Sequence, residues 1–133
     1  MTRWTRVALC GAAAVIIFDT AASLLARMTG SAHGSTAIGL TVIYAVIGYL
    51  AARAMQSKRL LAAARAGILL GLTDASAGSA ISWVIRPAVW HRGLTLGWWI
   101  AIAIFVTVLA TLIATIGGLV AQWRNRTATP AAT

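Results

Sequence analysis

The sequence predicts an all-α integral membrane protein of four transmembrane helices arranged as two antiparallel hairpins. Three observations carry this: 60% of residues are hydrophobic against 10% charged, the mean hydropathy is +0.87, and four long apolar stretches take up most of the 133 residues. A water-soluble domain needs far more polar surface than this composition supplies. Four spans of roughly 20 residues also leave no length for a soluble catalytic domain.

The first stretch, residues 7–26, holds a single charge, Asp19, and is bounded by Arg3, Trp4 and Arg6 on one side and Arg27 on the other. The second, residues 36–52, follows a turn-forming run that includes Gly30, Ser31, His33 and Gly34, and it ends before Arg53, Lys58 and Arg59. So short a connection makes these two helices antiparallel neighbours. The third, residues 66–85, carries Asp74 near its middle and stops at Arg86 and Pro87, because proline pushes the residue before it out of helical geometry. The fourth, residues 96–121, is 26 residues long; at 1.5 Å per residue it outruns a ~30 Å hydrocarbon core and has to tilt. Residues 124–133 read as a disordered cytoplasmic tail.

Net charge is +9, and its distribution reads as topology rather than as a nucleic-acid surface. Arg3, Arg6, Arg53, Lys58, Arg59, Arg65, Arg124 and Arg126 fall on one side of the four spans; only Arg27, Arg86 and Arg92 fall on the other. Basic loops stay in the cytoplasm, so both termini are expected there, in a cell inner membrane, with the inner basic residues facing anionic lipid head groups. Trp4 and Trp123 mark the inner interface, and Trp83, Trp90, Trp98 and Trp99 the outer one. Residues 7–18 also have the form of a signal-peptide core, which makes cleavage of the first span an alternative.

Asp19 and Asp74 are the only acidic side chains. They lie 55 residues apart, each among small residues and each in an odd-numbered span, so the chain reads either as an internal duplication of parallel hairpins or as a chance match. An ionised carboxylate near the bilayer centre costs roughly 2.5 to 3.5 kcal/mol, and no Lys or Arg shares a span with either acid. Uptake of a proton, a proton shared between two close carboxyls, or a bound cation would each compensate. A neutral Asp acting only as interhelical glue is the plain structural alternative.

Helical spacing selects the surroundings. Gly67, Gly71 and Gly78 fall on the face of Asp74 and predict close helix packing, also a candidate contact for a second copy. Ala12, Ala22, Ser23 and Ala26 surround Asp19. Tyr44, beside the small face of Thr41, Ala45, Gly48 and Ala52, is placed to reach an Asp near the midplane. Thr107, Thr111 and Thr115 recur at four-residue steps; they either line a polar path or bond back to their own helix.

Two acids and one cysteine cannot assemble a carboxylate-rich or thiolate metal centre, and His33 and His91 have no acid or thiol in their loops, so neither a metal nor a cofactor is expected. The leading expectation is a proton- or cation-linked transporter or channel component centred on Asp19 and Asp74, working as a homo-oligomer or with a membrane partner subunit. The alternatives are a noncatalytic accessory or assembly subunit, and an intramembrane enzyme on a lipid or isoprenoid using Asp as general acid.

Overall fold

The computed structural model describes residues 3–30, 34–55, 58–85 and 95–127, and every element among them is helical. In chain order these are α1 (Arg3–Thr29), α2 (Gly34–Ala54), α3 (Arg59–Thr73), a π-helical turn (Asp74–Gly78), α4 (Ser79–Ile85) and α5 (Leu96–Thr127). α3, the π turn and α4 make one continuous rod, so four helices are long and apolar enough to cross a membrane. His33, Arg86, Trp90, His91 and Arg92 lie outside the described residues.

The helices overrun the apolar stretches that predict them. α1 begins at Arg3, the third rod at Arg59, and α5 continues through Arg124 and Arg126 to Thr127. The expected tail is therefore helical over its first four residues, 124–127, and residues 128–133 lie outside the described part. Hydropathy marks where an apolar stretch stops, whereas helical hydrogen bonding propagates through Arg and Gln at little cost.

In the π turn the Ser79 N–H reaches the Asp74 carbonyl five residues back, which fits one more residue into the turn than an α-helix holds. Ser76 Oγ donates to the Leu72 carbonyl at 2.6 Å, covering backbone that the wider turn loosens. The extra residue also turns the chain beyond it by about 100° relative to an unbroken α-helix. Gly67, Gly71 and Gly78 consequently do not share one face. Gly67 and Gly71 meet α5, with Thr111 Cα and Thr107 Cα each 2.6 Å from where a Cβ would stand, and Gly78 meets Asp19 of α1.

Glycine and alanine set most of the helix contacts. Gly48 of α2 abuts the Ala114 backbone, Gly117 of α5 abuts the Ala45 carbonyl, and Gly118 would hold a Cβ 2.7 Å from that of Ala63. Gly11 faces Ile47, and Gly39 faces Phe18. One apolar core joins Val15, Tyr44, Leu70 and Ala110, with Leu40, Ile43, Ile47 and Ile113 packed against it. A smaller one joins Ala52, Ala63 and Ala121 beneath Tyr49. Outward faces are apolar as well, Met28, Val84, Ile38 and Phe105 among them. That much exposed hydrocarbon fits a multi-pass membrane protein and not a protein in water.

Candidate functional site

The buried stripe of α1 is Ala8, Gly11, Val15, Asp19, Ser23 and Ala26, stepping by three or four residues as one helix face must. Ala12 and Ala22, which spacing sets beside Asp19, are half-buried at the margins of that stripe. The third rod presents Gly78 to it. With hydrogen in place of a side chain, Gly78 admits both carboxyls: a Cβ there would collide with Asp19 Oδ2 and lie 2.9 Å from Asp74 Oδ1. The only two acids of the chain thus converge on one residue.

Tyr44 is buried, belongs to the apolar core, and donates its hydroxyl to Asp74 Oδ2 at 2.5 Å. A hydroxyl bonded to a carboxylate is a charge-assisted contact, stronger than one between neutral groups. Asp19 is equally enclosed, at 8% exposure, yet its Oδ2 has no hydrogen-bond partner. Buried carboxylate oxygens rarely go unsatisfied, and the group beside this one is the Asp74 carboxyl across Gly78, which becomes its partner when either acid carries a proton.

One turn beyond Asp19, Ser23 Oγ shares a hydrogen bond with Ser82 Oγ of α4 at 3.1 Å. One turn further, the Arg27 guanidinium donates to the Ile85 carbonyl at 3.5 Å. In the other direction, one turn before each acid, stand Val15 and Leu70, the largest fully buried side chains among the described residues.

The threonines of α5 divide. Thr111 Oγ1 donates to the Thr107 carbonyl and Thr115 Oγ1 to the Thr111 carbonyl, both at 2.7 Å, so these two bond back within their own helix. Thr107 Oγ1 is buried with no partner, facing Gly71 one turn before Asp74. Thr41 turns outward and donates to the Ala37 carbonyl, leaving Gly48 and Ala52 as the buried part of the small face of α2.

Spacing alone did not single out Ser82. The available signal is that it lies one turn beyond Gly78, as Ser23 lies one turn beyond Asp19. Among the described residues, no group of three His, Cys, Asp or Glu side chains is able to hold a metal ion. Compared with protein-family models, with curated proteins and with solved structures, the chain matches none.

Proposed function

We propose that the protein is a proton- or cation-linked transporter or channel component of the inner membrane, with the Asp19 and Asp74 pair as its ion-binding centre. The observation that carries the reading is the convergence of both carboxyls on Gly78, with Asp19 Oδ2 left unpartnered. Two carboxyls this close and this far from any Lys or Arg favour one shared proton or one cation over two bare charges. Tyr44 donates a hydrogen bond to Asp74 Oδ2, which leaves Asp19 as the acid with more room to take up an ion.

The topology in this reading is two antiparallel hairpins with both termini cytoplasmic. Gly11 against Ile47 and Gly39 against Phe18 support opposite directions for α1 and α2. Gly71 against Thr107 and Gly67 against Thr111 do the same for the third rod and α5. The excess of basic residues on the side of the termini supports their placement. α1 and the third rod lie side by side, Trp4 donating to the Ala62 carbonyl and Ser23 meeting Ser82, at offsets of 58 and 59 residues and not the 55 that relates the two acids, so the duplication rests on the sequence match alone.

Asp19 is buried and Asp74, half-buried, is held by Tyr44 within the chain; this weighs against the accessory-subunit reading. A wider substrate path needs a second copy or a partner subunit. Gly67, Gly71 and Gly78, which helical spacing offers for that contact, are taken up inside the chain, which leaves the apolar outer faces for it.

The test is ion uptake by liposomes carrying the purified protein and an internal pH dye, under an imposed potential. Proton or cation entry well above that of empty liposomes is expected, falling to their level in both Asp19→Asn and Asp74→Asn. Flux unchanged in the two variants would sink the reading.

A further inference from the structure

We propose that the carboxyl pair exchanges its proton with one membrane face only, the face at the Arg27 end, because hydroxyls lie one turn away on that side and an apolar plug one turn away on the other. This rests on the reading of Asp19 and Asp74 as a proton-binding centre and adds its sidedness.

The two directions out of the site differ at matched distance. Four residues after Asp19 is Ser23, and four after Gly78 is Ser82; their hydroxyls are hydrogen-bonded. Four residues before Asp19 is Val15, and four before Asp74 is Leu70, both with 0% exposure. Past the plug the buried residues of α1 are Gly11 and Ala8, and those of α3 are Gly67, Ala66, Ala63 and Ala62. No polar side chain occurs among these residues of α1 and α3; on α5, Thr107 faces Gly71 on the site's side of Leu70, and beyond it the Thr111 and Thr115 hydroxyls are held by carbonyls of their own helix. Tyr44 closes the same side, since its ring belongs to the plug while its hydroxyl holds Asp74.

A serine hydroxyl both donates and accepts. A proton arriving at the Arg27 end passes to one hydroxyl as that hydroxyl releases its own, so neither serine is left charged and the proton ends on Asp19. The helical turn from Ser23 to Asp19, about 5.4 Å of rise, is the span of one bridging water, for which the unpartnered Oδ2 is the acceptor. Arg27 does not relay, because a guanidinium has no acceptor; it ties the mouth through the Ile85 carbonyl. The titratable groups facing Asp19 are Asp74 on the π turn and Tyr44 on α2. α5 carries no charged or histidine side chain before Arg124.

The test uses the full chain in sealed liposomes of known orientation, with dicyclohexylcarbodiimide modification of Asp19 and Asp74 read by mass spectrometry while the pH of one compartment is changed. The reagent enters through lipid and modifies the protonated acid. Once a carboxyl titrates, its protonated fraction falls about tenfold per pH unit, and modification is expected to fall in that way with the pH at the Arg27 end only. A response to the opposite compartment overturns the sidedness while leaving the proton-binding centre standing. A response to neither overturns both.

A second measurement does not depend on the acids. In a Cys10→Ala background, which removes the exposed native thiol, Ser82→Cys is expected to react with a membrane-impermeant methanethiosulfonate added at the Arg27 end and not at the other. Reaction from the other end, or from neither, overturns the route.

Discussion

Two seams of this bundle are built from the same small residues and do opposite things with them. Where α5 lies against α2 and α3, Gly48, Gly67, Gly71 and Gly117 bring backbones into contact, and two of the three threonines of α5 bond within their own helix. Where α1 lies against the π turn and α4, Gly78 admits two carboxyls instead of a backbone, and the hydroxyls of Ser23 and Ser82 bond across the seam. A small residue therefore specifies close approach, and what approaches is decided by the facing helix: Ala and Thr backbone in one seam, Asp19 in the other.

The largest effect that tests this contrast is expected from Gly48→Val. A side chain there enters the Ala114 backbone, which has no rotamer to yield, so the cost should reach or pass the upper end of the about 1–3 kcal/mol typical of overpacking. Unfolding by sodium dodecyl sulfate in mixed micelles, followed by tryptophan fluorescence, measures it. Gly78→Ala comes next. Its Cβ meets side-chain oxygens that are able to rotate away, so it should destabilise less than Gly48→Val while removing carbodiimide modification of Asp19; a larger loss of stability than that of Gly48→Val would break the contrast.

Tyr44→Phe deletes one buried hydrogen bond and keeps the ring in the core. Membrane double-mutant cycles put such bonds at about 0.6 to 1.7 kcal/mol, and the same unfolding assay reads the change. The smallest effects separate the threonines. Thr115→Val removes a bond internal to its helix and should move stability by less than about 0.5 kcal/mol. Thr107→Val removes a buried hydroxyl with no partner and should leave stability equal or raised. A clear loss from Thr107→Val would show that its hydroxyl has a partner in the membrane and joins it to the polar seam.

Four spans are legible in the sequence because apolar length is a property of the chain itself, and the acids are legible because there are only two. The reach of Tyr44 to Asp74 follows from depth, since both lie near the middle of their spans. The facing of Gly78 is not legible, because regular helical counting keeps it with Gly67 and Gly71, and the extra residue of the π turn leaves no mark in hydropathy. Nor does spacing distinguish Thr107 from Thr111 and Thr115. All three sit at the same periodicity, and only the position of the backbone carbonyls around each one decides which hydroxyl is left over.

The π turn also sets how the chain tolerates insertions and deletions. It already holds one residue more than an α turn, so loss of Ala75 or Ala77 would return Arg59–Ile85 to a regular helix with Gly78 and Ser82 still turned toward α1. The same loss in the middle of α5 would swing everything after it by about 100° and turn Gly117 and Gly118 away from α2 and α3. A lineage of such chains would vary in length at Asp74–Gly78 and keep its count fixed along α5.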